Sequence, residues 1–150
     1  MKNIFQPEIT SEVIARINNL TPTSPQLWGK MNVAQMLAHC NVSYELVYED
    51  KHPKPNAFMK LIMKAFVKNI VVSEKPYKRN SQTAPSFVIT DEKEFEKEKN
   101  RLIDYLNKTQ ELGESYFDGK ASHSFGKLSK IEWNNMFYKH LDHHLNQFAV

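Results

Sequence analysis

The chain has 150 residues, of which 41% are hydrophobic and 25% charged, and this fits one globular domain over residues 1–150. Its formal net charge is only +3, and basic residues alternate with acidic ones, so we expect no nucleic-acid partner. The single cysteine excludes an internal disulfide, and neither a signal peptide nor a membrane span is recognisable, so we expect a cytoplasmic protein without a membrane partner.

Two helices are predicted in the first third of the chain. The first, residues 7–20, opens at Pro7 and repeats apolar residues at helical spacing. After a turn-rich stretch, Asn32 is a favourable N-cap with Gln35 in the capping-box position. The second helix then runs to about Glu49, and its apolar stripe consists of Val33, Met36, Leu37, Cys40, Tyr44 and Val47. The cysteine in this stripe is expected to be a small core residue and not a nucleophile.

A third segment, residues 55–72, is predicted to be an amphipathic helix that packs on the core. Its lysines are four residues apart and form a solvated edge, and the side expected to face the core contains Phe58, Leu61, Ile62, Ala65 and Phe66. The alternative is a helix that lies on a membrane surface, which the narrow basic face and the absence of Trp make weaker. Residues 73–90 are too long for a structureless connection, so we predict an ordered loop that helps to close a pocket.

The fourth predicted helix begins in a strongly charged stretch of the sequence. Thr90 or Asp91 is expected to cap it, and Gly113 is expected to end it. Between these positions four residues recur at heptad-like spacing, namely Phe95, Leu102, Leu106 and Thr109. The charged residues of the first turns are interpreted as solvated surface.

The last predicted helix begins after a capping box formed by Ser129 and Glu132 and runs to about Phe148. No β-ladder is recognisable in the rest of the sequence. Long amphipathic helices joined by loops predict an all-α fold, and specifically an antiparallel four-helix bundle with an additional short helix and a long loop.

Three of the six histidines fall in this last helix, in the sequence FYKHLDHHLNQF. On a helical wheel, His140 and His144 point into the apolar face one turn apart, whereas His143 lies about 100° from the centre of that face and is expected at its rim. Imidazoles at positions i and i+4 can reach one metal ion, or they can be core histidines that hydrogen-bond to neighbouring helices. The spacing alone leaves both interpretations open.

His39 offers a third nitrogen, because it lies at the edge of the apolar stripe of the second helix. Metal sites in helical bundles are built from side chains on facing helices, and three protein ligands with an open position are typical of catalytic zinc. The other two histidines lie in predicted turns: His52 is expected to be exposed, and His123 has no positional reason to bind metal. Glu45 and Glu49 lie off the stripe, so no acid–base residue is assigned.

The sequences WGKMNVAQMLAHC and HSFGKLSKIEWNNMFYKHLDHHLNQF resemble the DinB-like (DinB/YfiT) superfamily of metalloenzymes, and in particular its DUF1569 branch. The resemblance covers the second helix and residues 123–150 well, and residues 50–90 only in general character. It implies a four-helix bundle with a divalent metal ion, Zn²⁺ or Ni²⁺, bound by His39, His140 and His144. It also implies an enzyme that transfers a low-molecular-weight thiol to a small electrophilic substrate, or a related hydrolase.

Two other functions remain open from the sequence. One is a non-catalytic helical bundle whose histidines are structural, and the other is a module that binds small molecules without a metal. A homodimer is one assembly compatible with the sequence. We therefore expect a small-molecule partner, and the sequence does not identify it.

Overall fold

The structure of the chain, a computed structural model, describes residues 1–150 and is mostly helical. Its six α-helices are α1 (Pro7–Asn18), α2 (Val33–Tyr48), α3 (Ala57–Ile62), α4 (Lys68–Val72), α5 (Phe95–Phe117) and α6 (Lys130–Gln147). A π-helical turn, Met63–Val67, joins α3 to α4, and a 3₁₀ turn, Pro85–Phe87, lies in the loop before α5. Two short strands, β1 (Ala121–Ser122) and β2 (Gly126–Lys127), precede α6. None of the helices combines the length and apolarity that crossing a membrane requires.

The two predicted capping boxes are confirmed. The Asn32 side chain accepts a hydrogen bond from the backbone N–H of Gln35, and the Gln35 side chain accepts one from the backbone N–H of Asn32. Ser129 and Glu132 form the same reciprocal pair at the start of α6. Each box satisfies donors that a helix start otherwise leaves free, which explains why α2 and α6 begin at the predicted residues.

The core lies between α1, α2, α5 and α6. Helix α2 is buried along most of its surface, because it packs against both α5 and α6. Aromatic rings fill the space between these helices: Tyr44 stacks on Phe137 with ring centroids 4.9 Å apart, and Phe137 stacks on Trp133 at 5.4 Å. This packing holds α2 and α6 side by side, and these are the two helices that contain the candidate metal ligands.

The predicted start of α5 is wrong by several residues. The helix begins at Phe95 and not directly after Thr90 or Asp91. The Asp91 carboxylate is paired with Lys93 at 2.7 Å, so it is engaged by its own loop and does not cap a helix. The buried Phe95 is the first residue of this region that packs on the core, and the helix begins there.

The predicted end of α5 is also wrong. Gly113 has φ 70° and ψ 170°, which kinks the helix, but the chain returns to helical geometry and continues to Phe117. Phe117 is fully buried, and its ring centroid lies 5.1 Å from that of Phe5 and 5.4 Å from that of Trp133. Burial of this ring stabilises the extra turn that the glycine would otherwise end.

The sequence did not predict the β-hairpin between α5 and α6. Ala121 pairs with Lys127, and Ser122 pairs with Gly126, in an antiparallel arrangement. Strands of two residues are too short for an alternation of polar and apolar side chains to be recognised.

The third segment is helical as predicted, but its apolar side does not pack on the core. Phe58, Leu61 and Phe66 are 71%, 65% and 74% exposed, and no residue of Ala57–Val67 is buried. The residues that contact the core are instead Met63, Val67, Val71 and Val72. The segment has a second apolar stripe, with residues four positions apart at Met63, Val67 and Val71, and this stripe is the one that packs on the core.

Candidate metal centre

Helices α2 and α6 bring together three histidines, which are the three candidate ligands chosen from the sequence. One ring nitrogen each from His39, His140 and His144 lies within 4.8 Å of the others. The Nε2 atoms of His39 and His140 are 2.9 Å apart, although these residues are 101 positions apart in the chain. His39 and His144 are buried with ring centroids 4.5 Å apart, whereas His140 is half-buried, so the cluster lies just below the protein surface.

Two of the three rings have a defined tautomer, because the partner of each Nδ1 atom can only accept a hydrogen bond. Nδ1 of His39 lies 2.8 Å from the carbonyl oxygen of Phe87 and must donate to it. Nδ1 of His144 lies 2.8 Å from Oε1 of Gln147, whose amide nitrogen donates to the carbonyl oxygen of Trp28 at 2.7 Å. In a neutral imidazole one nitrogen donates and the other accepts, so the Nε2 atoms of both rings have free lone pairs.

The hydrogen-bond partner of the third ring, that of His140, can either donate or accept. Its Nδ1 atom lies 3.0 Å from the hydroxyl oxygen of Ser43. If Nδ1 donates to Ser43, then three Nε2 lone pairs face one another without a proton, and a cation is the natural partner for them. If Ser43 donates instead, then Nε2–H of His140 can bond to Nε2 of His39, and Nε2 of His144 has no donor.

The surroundings favour the neutral form of all three imidazoles, which is the form that binds metal ions. Burial lowers the pKa of His39, although the hydrogen bond to the Phe87 carbonyl opposes this effect. Burial, together with the neighbouring His144 and His39, lowers the pKa of His140 well below its ordinary value. Burial lowers the pKa of His144 to about 3.

The loop between α4 and α5 covers the cluster from outside. The Phe87 ring is edge-on to the rings of His39 and His140, with centroid distances of 5.3 Å and 5.8 Å. The Tyr77 ring is edge-on to those of His140 and His143, at 6.5 Å and 5.6 Å. This loop therefore supplies both a hydrogen-bonding carbonyl and two aromatic walls to the site.

A cleft of about 430 Å³ adjoins the cluster, and it includes Trp28, Tyr77, Arg79, Lys139, Asp142 and His143 among its lining residues. The His143 ring lies 5.1 Å from that of His144 and 5.8 Å from that of Trp28, so this third histidine of α6 stands between the cluster and the cleft. The Arg79 guanidinium lies 4.2 Å from the Trp28 ring centroid. Aromatic walls, together with basic residues and the carboxylates of Glu74 and Asp142, suit a small polar molecule.

The two remaining histidines lie outside the cluster. The prediction that His52 is exposed is wrong: its side chain is 18% exposed, and its Nε2 atom lies 2.7 Å from a carboxylate oxygen of Glu45. The turn after α2 folds back, which brings His52 against that helix. Nε2 of His123 lies 3.4 Å from the backbone carbonyl of His52. Neither ring contacts the candidate ligands.

The sequence assigned no role to the residues that orient the three rings. Ser43 follows His39 by four positions and Gln147 follows His144 by three, so helical spacing could have identified both as neighbours of the site. Phe87 contributes a backbone carbonyl from a loop, and no residue pattern indicates such a contact.

The family model described as "Protein of unknown function (DUF1569)" matches residues 5–150. The chain belongs to the DUF1569 family. Neither a curated protein nor a solved structure is significantly similar to this DUF1569 chain. The match includes all six helices and the three clustered histidines, so the candidate metal centre lies within the region that defines DUF1569.

Proposed function

We propose that this DUF1569 protein binds a divalent transition-metal ion through His39, His140 and His144 and is a metal-dependent enzyme. The observation that carries the proposal is the orientation of the rings. Each ring has its Nδ1 atom hydrogen-bonded to a different partner, and the opposite nitrogens converge. Hydrogen bonds to the outer nitrogen of a histidine are the usual means by which proteins orient metal ligands.

The donor set fits Zn²⁺ or Ni²⁺, since imidazole nitrogen is a favourable ligand for both ions. Two imidazoles at metal–nitrogen distances of about 2.0–2.1 Å in a tetrahedral site have nitrogens about 3.3 Å apart. The Nε2 atoms of His39 and His140 are 2.9 Å apart, slightly closer than this value. The largest separation among the three ligand nitrogens is at most 4.8 Å, which is somewhat longer. A divalent ion with three protein ligands acts as a Lewis acid and favours the deprotonated form of a bound water or thiol.

Membership of the DinB-like superfamily is part of the same proposal. Helices α1, α2, α5 and α6 pack around one core, which supports an antiparallel four-helix bundle and a single domain over residues 1–150. The ligands come once from the second helix and twice from the last, as the resemblance implies.

We infer that the substrate is a small molecule in the adjoining cleft, and that the co-substrate is a low-molecular-weight thiol. The cleft is large enough for a small molecule, and it lies one imidazole ring away from the cluster, beyond His143. Arg79 offers its guanidinium to an anionic group of a ligand there.

Metal analysis of protein purified without an affinity tag tests the metal centre. We expect about one equivalent of Zn²⁺ or Ni²⁺ per chain after reconstitution, and almost none in the His140→Ala/His144→Ala double variant. The His123→Ala variant, which removes a histidine outside the cluster, should bind as the parent chain does. Near-zero metal in all three proteins would contradict the proposal. Metal-dependent consumption of a thiol with a small electrophile then tests the reaction.

A second candidate function is a metal-free bundle with structural histidines. The 2.9 Å between Nε2 of His39 and Nε2 of His140 favours it, because this is also the length of a direct hydrogen bond. Nitrogen-15 NMR of the imidazoles distinguishes the two functions. The metal-bound protein should have a proton on Nδ1 of all three rings, whereas the metal-free network requires the proton of His140 on Nε2.

A further inference from the structure

The helical segment from Ala57 to Val72 leaves a large apolar surface in contact with solvent. Phe58, Leu61, Phe66 and Ile70 are 71%, 65%, 74% and 62% exposed, and we call these four residues the α3–α4 face. A monomeric protein usually exposes such side chains singly, and a contiguous apolar patch indicates an interaction site. The sequence predicted that Phe58, Leu61 and Phe66 face the core, and that prediction does not explain why they are exposed.

The π-helical turn keeps this surface on one side of the segment. Phe58, Phe66 and Ile70 are separated by multiples of four residues, and in a regular α-helix each such step drifts by about 40°. The wider turn at Met63–Val67 compensates for part of this drift, because it holds more residues per turn than an α-helix. Phe58, Phe66 and Ile70 therefore lie on one side of the segment over about three turns.

The same part of the chain concentrates positive charge. Residues 51–79 contain eight of the chain's 20 Lys and Arg but only one of its 17 Asp and Glu, so this segment has a net charge of +7 and the rest of the chain −4. Part of this charge is compensated by acids outside the segment, since Lys51, Lys54 and Lys68 are paired with Glu45, Asp50 and Glu132. Lys60 and Lys64 take part in no ion pair. The loop after α4 adds Lys75 and Lys78, which are exposed and likewise take part in none.

We propose that the α3–α4 face docks on the surface of an anionic lipid bilayer, which replaces the expectation from the sequence that the chain has no membrane partner. The exposed rings enter the boundary between headgroups and acyl chains, and the neighbouring lysines contact lipid phosphates. A bilayer offers an apolar interior and negatively charged headgroups together, and it can bind a protein surface without a complementary shape. A symmetric contact between two copies would instead bring the unpaired lysines of both copies together, so we favour the lipid surface. The contact is peripheral, and it does not depend on the metal centre.

Vesicle flotation of the full chain tests this docking. We expect binding to phosphatidylcholine vesicles that contain roughly 30% phosphatidylglycerol, weak binding to phosphatidylcholine alone, and release as salt is raised. The Phe58→Ser/Phe66→Ser variant and the Lys60→Gln/Lys64→Gln variant should each lose about tenfold or more in affinity. The matched control is Val88→Ser/Ile131→Ser, which removes two apolar residues that are 55% and 63% exposed elsewhere, and it should bind as the parent does.

A Phe66→Trp variant reports on insertion directly, because its fluorescence should shift to the blue with anionic vesicles and stay unchanged without them. Absence of binding to anionic vesicles would overturn the proposal, as would equal binding by the parent and the Phe58→Ser/Phe66→Ser variant. Sedimentation that reveals a dimer broken by that variant, without vesicle binding, would assign the face to a second copy and overturn the proposal as well. Circular dichroism of each variant verifies that the fold is retained.

Discussion

Oε1 of Gln147 lies 2.8 Å from Nδ1 of His144, and the amide nitrogen of the same side chain lies 2.7 Å from the carbonyl oxygen of Trp28. One buried glutamine thus connects a candidate metal ligand on α6 to the turn before α2. Because the amide nitrogen is engaged by Trp28, the amide oxygen is the atom that faces the histidine. Gln147 is therefore a positioning residue that holds the proton of His144 on Nδ1.

Replacement of Gln147 by Leu should weaken metal binding without removing a ligand. The ring of His144 loses the acceptor that fixes its tautomer, and loss of such an outer partner typically lowers metal affinity about 10–100-fold. Competition with a chromophoric chelator measures the affinity. Gln82→Leu, the same substitution at an exposed position, should leave it unchanged. Equal affinities for Gln147→Leu and the parent would show that this hydrogen bond has no role in the site.

Replacement of Gly29 should also weaken metal binding, because Gly29 lies against the side chain of Gln147. It has φ +83°, and a Cβ atom at this position would lie 2.6 Å from Nε2 of Gln147. Gly29→Ala should therefore displace the glutamine and lower metal affinity, in addition to a backbone cost of about 1 kcal/mol. Gly119→Ala is the matched control, since Gly119 has φ +74° with no atom within 4 Å of the added Cβ.

Both glycine variants should lose stability in urea denaturation through the backbone cost, but only Gly29→Ala should lose metal affinity. A parallel loss of affinity in both would mean that general destabilisation, and not the contact with Gln147, is responsible.

The stability of the fold should depend on pH through Glu45, which is 5% exposed and paired with Lys51, His52 and Arg101. Burial raises the pKa of this carboxyl, but hydrogen bonds from the three partners outweigh burial and hold the pKa below its ordinary value. A carboxyl with a lowered pKa in the folded state stabilises the fold above its unfolded pKa of about 4.3, and the effect is lost as the pH falls through the folded value.

Glu45→Gln should accordingly lower the free energy of unfolding by about 2 kcal/mol at pH 7, and by progressively less below about pH 4. Chemical denaturation at several pH values measures the difference from the parent. Asp104→Asn, an exposed carboxylate on α5 outside any ion pair, should change little at any pH. A constant difference across the whole pH range would argue against ionised Glu45 as the source of the stabilisation.

The last turn of α5 should depend on a single aromatic ring. Phe117 is fully buried among Phe5, Trp133 and Phe137, so Phe117→Ala should lower the free energy of unfolding by about 3–5 kcal/mol. Phe58→Ala, at an exposed ring, should stay within about 0.5 kcal/mol of the parent. Guanidinium titration of both variants measures the change, and a small loss for Phe117→Ala would mean that the core collapses into the space.

Local sequence signals predicted well where the controlling contacts are close in the chain. The capping boxes at Asn32 and Ser129 involve residues three positions apart, so α2 and α6 were predicted with the correct starts. His140 and His144 face the same way because they are one helical turn apart. His39 was predicted as the third ligand because metal sites in helical bundles use side chains on facing helices.

The predictions that failed depend on contacts that the sequence does not encode locally. Gly113 is a favourable helix end on its own, but the burial of Phe117 against other helices outweighs it. Asp91 is an exception, because its carboxylate pairs with Lys93 only two positions away. Phe58 follows the pattern of a core residue, but a second apolar stripe of the same segment, which includes Met63 and Val67, packs on the core instead.

Helix α2 has 12 of its 16 residues buried, and it holds His39 near its middle. Almost every substitution in this helix must therefore satisfy neighbours on several sides at once, whereas the exposed α3 has no buried residue at all. Over evolutionary time, α2 should accept replacements slowly and in coordination with α5 and α6. The segment around α3 is free to diverge, so homologous chains can keep one inner site while they acquire different outer surfaces.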